Sequence, residues 1–219
     1  MGLRTMRWSA LFLVGMSCVL LPDLAVADPV RSRPPELSSP YMRVYGHTLP
    51  PFGFVQFCEI TPSECNSGQG NDQRFVATPE RLSELDEINR AVNKAIQPVT
   101  DIDHYGVSEL WVIPRDNKGD CEDYALMKRH ILMHQRGWPA NALLMTVVRD
   151  EQGDGHAVLT ARTAQGDFIL DNKAEEVKLW YLTPYAYVMR QSYLNPKVWV
   201  SLDPDANSPP YIAGVKPRR

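Results

Sequence analysis

The sequence lacks an excess of positive charge, a long hydrophobic run and any internal repeat, and it has only 4 cysteines in 219 residues. Its 23 lysines and arginines face 26 aspartates and glutamates, so the net charge of -3 implies no general attraction to nucleic acid. The apolar run Trp8 to Leu21 is too short for a comfortable membrane span. The remaining composition, 44% hydrophobic and 22% charged, is typical of a globular chain whose length indicates one domain.

The N-terminus has the three parts of a secretory signal peptide. A positively charged start precedes the apolar run, and small residues at Ala25 and Ala27 follow it. We therefore expect residues 1–27 to be a signal peptide that is cleaved after Ala27. Residues 28–45, which are rich in proline, then form a flexible lead-in to one domain over residues 46–219.

Export affects the expected state of the cysteines. Cys58 and Cys65 are close in sequence and have Pro62 between them, so we expect them to form a disulfide that closes a small loop. Cys121 is then a lone thiol in an oxidising compartment, which calls for a chemical explanation.

Hydrophobic periodicity predicts helices first and strands afterwards. One helix begins at Thr78 and ends before Pro98, and a second runs from Asp120, a good N-cap, to about Arg136. The Gly/Pro/aromatic stretch 46–70 is expected to be irregular, with one short strand. Strands are predicted at residues 143–148, 156–163 and 168–170 and near Val198. This order, helices and then an antiparallel meander, indicates the α+β class.

Three of the predicted elements carry the residue types of a catalytic triad. Cys121 occupies the first turn of the second helix, where free amide groups and the helix dipole stabilise a thiolate. His156 opens a strand and Asp171 ends the next, so adjacent antiparallel strands would bring the two side by side. The expected roles are nucleophile, base and orienting carboxylate.

Five ordered segments make this sequence similar to the bacterial transglutaminase-like cysteine peptidases, a group that includes the LapG-type periplasmic proteases. They are G-D-C-E-D-Y-A at 119–125, V-N-K-A-I at 92–96, G-V-S-E-L-W at 106–111, H-A-V-L at 156–159 and L-D-N at 170–172. The resemblance implies a papain-like or transglutaminase-like core, with the nucleophile at a helix N-terminus packed on an antiparallel sheet. It also implies catalytic roles for Cys121, His156 and Asp171, a periplasmic location and a calcium requirement.

The residues around the nucleophile fit that calcium requirement. Asp120 and Glu122 place two negative charges beside Cys121, which should raise the pKa of the thiol unless a cation offsets them. In the LapG-type enzymes the acidic residues on either side of the nucleophile bind calcium, so the resemblance assigns Asp120 and Glu122 as ligands. Asp123 is a third candidate because calcium prefers oxygen ligands. Simple N-capping and dipole pairing is the alternative explanation for these acids.

The resemblance also implies a protein substrate, for example a large surface adhesin, and an inner-membrane receptor as regulator. An acyltransferase or transamidase would use the same thioester intermediate, so the sequence does not separate it from a peptidase. A cell-wall amidase of the NlpC/P60 type fits less well, because those enzymes follow the cysteine with small residues and use a histidine as third member. A non-catalytic periplasmic sensor is a further alternative, against which the intact triad argues.

Two further questions stay open in the sequence. His130 and His134 are spaced i, i+4 like a zinc-binding pair, but no glutamate lies between them and no third ligand is evident. The second oxyanion donor beside the amide of Cys121 has three candidates: Asn172, Gln191 and Trp111.

Overall fold

The computed structural model of the protein describes residue 2 and residues 39–65 and 71–205. The expected signal peptide and most of the expected lead-in lie outside the described residues. None of the helices within the described ranges has both the length and the apolar character needed to cross a bilayer.

Helices occupy mainly the first part of the described chain and strands the second. The α-helices are α1 (Phe52–Ile60), α2 (Pro62–Cys65), α3 (Pro79–Ala95), α4 (Asp101–Tyr105) and α5 (Cys121–His134). The strands are β1 (Gly46–Thr48), β2 (Gln97–Pro98), β3 (Lys118–Gly119), β4 (Leu143–Arg149), β5 (Gly155–Thr163), β6 (Gly166–Asp171), β7 (Ala174–Leu179), β8 (Ala186–Gln191) and β9 (Trp199–Ser201). Short 3-10 turns cover Ala140–Ala142 and Trp180–Leu182.

A seven-stranded antiparallel sheet in the order β1-β9-β8-β4-β5-β6-β7 forms the centre of the fold. β4 and β5 lie in its middle and are almost entirely buried, as expected for strands covered on both faces. A separate two-residue parallel pair joins β2 to β3. The predicted α+β class, the strands within residues 143–170 and the strand near Val198 (β9) are confirmed, whereas periodicity did not predict β7 and β8.

The two long helices, α3 and α5, differ in how their N-termini are capped. In α3 the Thr78 side chain accepts a hydrogen bond from the Arg81 amide at 3.3 Å, as a helix cap should. At α5 Asp120 stands at the N-cap position, but its side chain makes no capping hydrogen bond. Asp120 is thus the N-cap residue that the sequence predicted, but without the side-chain hydrogen bond of a capping aspartate. The helix ends at His134, two residues earlier than predicted, and Gly137 has a positive φ of 68° just beyond it.

The segment expected to be irregular contains two helices, α1 and α2. The Cys58–Cys65 disulfide joins them, with a Cα–Cα distance of 5.6 Å, as predicted. Phe54 packs edge-on against Trp111 and Trp199, so the aromatic residues of this stretch belong to the core. Tertiary packing therefore creates helical structure where the local pattern has no clear period.

Candidate active site

Cys121 is the first residue of α5 and the free cysteine of the described part of the chain. Its Sγ accepts a hydrogen bond from the Ala157 amide at 3.4 Å, which places the thiol against the start of β5. The Asp120 carbonyl accepts the first hydrogen bond of the helix, from the Tyr124 amide at 3.2 Å. The nucleophile candidate is thus held at a helix N-terminus by backbone contacts on both sides.

His156 and Asp171 form a buried hydrogen-bonded pair on the neighbouring strands β5 and β6. Their Nε2 and Oδ1 atoms are 2.8 Å apart. The imidazole lies next to Ala157, whose amide contacts the Cys121 thiol, and Cys121 and His156 line the same cavity of about 630 Å³. The structure thus brings the three residues proposed from sequence to one end of the sheet.

Several groups fix the Asp171 carboxylate. Tyr185 donates its hydroxyl hydrogen to Oδ2, and the Lys173 amide donates to Oδ1 at 3.0 Å. The backbone of Asp171 is held by Asn89 of α3, whose Oδ1 accepts from the Asp171 amide at 2.9 Å. Burial opposes ionisation, but the hydrogen bond and charge of His156 outweigh it and lower the pKa of Asp171. This carboxyl is therefore a stable anion that can orient an imidazole.

The electrostatic surroundings of Cys121 do not favour a thiolate in the metal-free chain. Burial raises the pKa of the thiol well above its ordinary value, and the charges of Glu122 and Asp120 add to the effect. Glu122 is itself buried, and its Oε2 accepts from the thiol at 3.1 Å. The helix dipole alone does not offset these carboxylates.

A cluster of carboxylates lies immediately behind the nucleophile. One oxygen from each of Asp101, Asp120 and Asp123 lies within 4.8 Å of the others. The parallel pairing of β2 with β3 explains the grouping, because it brings the chain entering α4 alongside Asp120. Sequence analysis missed Asp101, since no local pattern connects it to a helix that starts twenty residues later.

Some oxygens of this cluster accept hydrogen bonds from backbone amides, and others have no partner among the described residues. Asp123 Oδ1 accepts from the Val112 amide at 2.9 Å, and Asp101 Oδ2 accepts from the Leu110 amide. Asp101 Oδ1, Asp120 Oδ1 and Asp123 Oδ2 are buried and have no hydrogen-bond partner within the described ranges. Burial raises the pKa of Asp101 to about 6 and that of Asp123 to about 8, with like charge from Asp120 contributing.

These free oxygens fit a hard divalent cation. Calcium binds carboxylate oxygens, and three buried oxygens without other partners are an arrangement that a cation would stabilise. Gly119 adds to the fit, because a Cβ there would collide with the Asp123 side chain and displace an oxygen of the cluster. Of the three ligands proposed from sequence, Asp120 and Asp123 belong to the cluster, and Glu122 contacts both the thiol and the Asp120 carboxyl.

The three oxyanion candidates differ in their positions. Trp111 is fully buried and donates from Nε1 to Glu109 at 2.7 Å. Gln191 is committed to the sheet, where its Oε1 accepts from the Met145 amide at 2.8 Å. Asn172 alone of the three lines the cavity that holds Cys121 and His156. It is therefore the candidate that geometry favours.

Comparison with known families identifies the chain's relatives. Residues 44–207 match the family model of the bacterial transglutaminase-like cysteine proteinases (BTLCP). The chain belongs to this family. Its α+β fold is the transglutaminase-like core that the sequence resemblance predicted, and the family is one of cysteine peptidases.

Solved structures of Legionella pneumophila LapG are similar to this chain. One shares 23% identity, with 52% of this chain and 65% of that chain covered, at a TM-score of 0.44. A calcium-bound form shares 22% identity, with coverages of 63% and 75% and a TM-score of 0.47. In the first comparison the chain thus spans just under two thirds of the LapG length. No curated protein matches the chain.

Proposed function

We propose that this chain is an exported, calcium-dependent cysteine endopeptidase that cleaves a periplasmic or surface protein. The observation that carries the proposal is the hydrogen-bonded pair His156–Asp171, with its Nε2–Oδ1 distance of 2.8 Å, beside the Cys121 thiol at a helix N-terminus. Nucleophile, base and orienting carboxylate are the three parts that acyl transfer through a thioester requires.

The proposed reaction assigns a role to each member of the triad. His156 takes the thiol proton, and the Cys121 sulfur attacks the carbonyl carbon of the substrate peptide, forming a C–S bond. Collapse of the tetrahedral intermediate breaks the C–N bond, and His156 gives its proton to the departing amine. His156 then deprotonates a water molecule that attacks the thioester, which releases the acid and restores the thiol. Asp171 holds the ring and stabilises its charged form.

The proposed calcium ligands are Asp101, Asp120 and Asp123. When bound, the ion supplies positive charge that offsets the carboxylates beside the nucleophile. Before His156 takes the proton, Glu122 accepts the hydrogen bond of the thiol and holds the Cys121 side chain in one orientation. Support for calcium comes from the free buried oxygens of the cluster and from the resemblance of the sequence around Cys121 to the LapG-type peptidases.

Location, substrate and regulation rest on the sequence. The signal-peptide pattern of residues 1–27 supports export, and the family resemblance supports a periplasmic protein with a large adhesin as substrate and an inner-membrane receptor as regulator. N-terminal sequencing of the protein from a periplasmic fraction should give Asp28 as the first residue. A chain that retains residues 1–27 in that fraction would contradict cleavage of the leader.

Alkylation of Cys121 by iodoacetamide tests the site without knowledge of the substrate. The rate is measured across pH without reductant, so that Cys58 and Cys65 stay paired, with calcium and with chelator. The pH dependence of the rate gives the pKa of the thiol. We expect this pKa to lie well above the usual value of about 8.5 with chelator and below it with calcium. The double variant Asp120→Ala/Glu122→Ala should lose this calcium response. A slow reaction that ignores calcium in folded protein would refute an activated nucleophile.

Mass spectrometry of new protein N-termini tests cleavage itself. A surface-protein extract of the source bacterium is incubated with the mature protein or with its Cys121→Ala variant, each with calcium or chelator. New N-termini that need both Cys121 and calcium are the expected result. A parallel reaction with an added primary amine distinguishes hydrolysis from transfer, because a transamidase would leave the amine attached to the product.

A further inference from the structure

A second group of metal-binding side chains lies at the other end of α5, far along the helix from Cys121. His130 Nδ1 and His134 Nε2 are each 2.8 Å from one oxygen, Glu64 Oε1. The three ligand atoms lie within 4.8 Å of one another. The sequence has the histidine pair at i, i+4 but no third ligand nearby, and the fold supplies one from α2, 66 residues earlier than His130.

The Glu64 carboxylate is prepared for a role as a single-oxygen ligand. Its Oε2 accepts from Arg129 Nη1 at 3.2 Å, and the same nitrogen donates to the Glu64 carbonyl at 3.0 Å. Arg129 is fully buried, so this contact fixes the carboxylate and leaves Oε1 directed at the two imidazoles. Such hydrogen bonding of a carboxylate by an outer partner is typical of metal ligands.

The position of Glu64 is also fixed through the backbone. The next residue, Cys65, is buried and bonded to Cys58, so α2 cannot easily withdraw from α5. Burial opposes ionisation of Glu64, but hydrogen bonds from His130 and His134 and the charge of Arg129 lower the pKa of its carboxyl. A carboxylate oxygen and two imidazole nitrogens are a ligand set that zinc accepts.

The cluster is open to solvent on one side. The imidazoles of His130 and His134 are 36% and 47% exposed, whereas Glu64 is 5% exposed. Glu64 and His130 border a cleft of about 900 Å³ that is separate from the cavity at Cys121. An ion can enter from this side, and water can complete its coordination, because three protein ligands leave a tetrahedral metal with one open position.

We propose that Glu64, His130 and His134 form a binding site for a divalent transition-metal ion of the zinc class, ligated through Oε1, Nδ1 and Nε2. Without metal, one carboxylate oxygen accepts two imidazole N–H groups. When an ion binds Nδ1 of His130 and Nε2 of His134, each ring carries its proton on the other nitrogen and stays neutral, and all three atoms become ligands. The bound ion then links α2, and with it the disulfide loop, to the last two turns of α5.

Zinc titration calorimetry of the full mature chain tests the site. The measurement is made in the Cys121→Ala background with saturating calcium, so that neither the thiol nor the carboxylate cluster competes for zinc. We expect one zinc per chain and a raised midpoint of thermal unfolding. His134→Gln should weaken zinc affinity by about 100-fold. It removes a direct ligand, and loss of an outer-sphere partner alone can have an effect of up to that size.

The matched control is His104→Gln. His104 Nε2 also lies 2.8 Å from a carboxylate, that of Asp116, but as a single imidazole with a single acid. This variant should bind zinc like its parent. Cobalt provides a second readout, because a four-coordinate ion gives visible absorption bands that His134→Gln should remove while the protein stays folded by circular dichroism.

Two results would overturn the proposal. One is a folded Cys121→Ala protein that binds no zinc or cobalt when either is added in excess. The other is binding of equal strength in His134→Gln and its parent, which would place the ion elsewhere. Either result would leave only hydrogen bonds at Glu64, and neither bears on the alkylation of Cys121 that tests the peptidase proposal.

Discussion

The two ends of α5 carry side chains of opposite ligand chemistry. At the N-terminus the acids Asp101, Asp120 and Asp123 form a cluster of carboxylate oxygens, some of which have no partner among the described residues. At the C-terminus His130 and His134 share a carboxylate whose oxygens are all in contact with donors. At the first end some buried oxygens lack a partner, whereas at the second the carboxylate oxygens are satisfied by hydrogen bonds.

This difference indicates what each end is for. Buried oxygens without donors cost free energy, and proteins retain such features mainly where function needs them. At the end that carries His130 and His134, the polar groups are paired without metal and cost little free energy. An ion bound there would therefore add stability to a chain that is already folded. The predictions below separate the two ends, starting with the largest effect.

Peptide cleavage should depend on the residues at the N-terminal end of α5. Cys121→Ser replaces the thiol by a hydroxyl that this site does not activate, and we expect peptide cleavage to fall by about 10⁴-fold or more. His156→Gln should give a loss of similar size, because the base is removed. Cleavage rates are compared at matched concentrations of folded protein. Cleavage that persists in Cys121→Ser would place the reaction outside this site.

Calcium affinity should depend on Asp101, the residue that local sequence did not reveal. Asp101→Asn removes a charge from the cluster, and we expect calcium to bind about 10- to 100-fold more weakly, measured by titration calorimetry. Asp103→Asn, an exposed acid on the same short helix, is the control that should bind normally. Zinc binding at the other end should be unchanged. Equal calcium affinities in both variants would remove Asp101 from the ligand set.

Stability of the chelator-treated protein should fall as pH rises. The pKa values of Asp101, Glu109 and Asp123 are raised to about 6, 7 and 8, chiefly by burial, so the folded protein binds more protons than the unfolded chain between about pH 4 and 8. The stabilising protons are all present below that window and are lost across it. We expect these groups to lower the free energy of unfolding by several kcal/mol between pH 5 and 8, since each unit of pKa difference corresponds to about 1.4 kcal/mol.

Urea denaturation at both pH values measures this slope. Glu109→Gln keeps an acceptor for Trp111 Nε1 but cannot ionise, so its slope should be shallower than that of the parent. Glu151→Gln changes an exposed acid and should leave the slope unaltered. Calcium should reverse the trend, since the ion binds the ionised carboxylates. A slope identical in Glu109→Gln and the parent would exclude Glu109 as a contributor.

We expect the smallest effect from a substitution in the middle of α5. Lys128 is fully buried, and its Nζ has no hydrogen-bond partner in residues 39–65 and 71–205. Replacing it by a similarly long apolar side chain in Lys128→Met should raise the free energy of unfolding by about 1 kcal/mol, because a buried unpaired charge is costly. Lys94→Met, an exposed change on α3, is the control. A destabilised Lys128→Met would mean that the ammonium has a favourable interaction with Asp171.

The sequence-based analysis was most successful where local patterns coincide with tertiary contacts. The start of α3 at Thr78, the disulfide and the order of Cys121, His156 and Asp171 all follow from short motifs or regular spacing. The helices of residues 52–65 were missed because their formation depends on packing against Trp111 and Trp199. Asp101 and Glu64 were missed for a related reason, since contacts across tens of residues determine their roles.

The short disulfide loop has a consequence for how the protein matures. A chain that enters an oxidising compartment N-terminus first presents Cys58 and Cys65 well before Cys121, and so small a loop closes within about a microsecond once its ends are free. Contact between Cys58 and Cys65 is therefore not the slow step, and if the chain is exported as proposed, oxidation of this pair can begin before Cys121 has been translocated. Mispairing with Cys121, which would silence the active site without changing the number of disulfides, is thus disfavoured by the order in which the cysteines arrive.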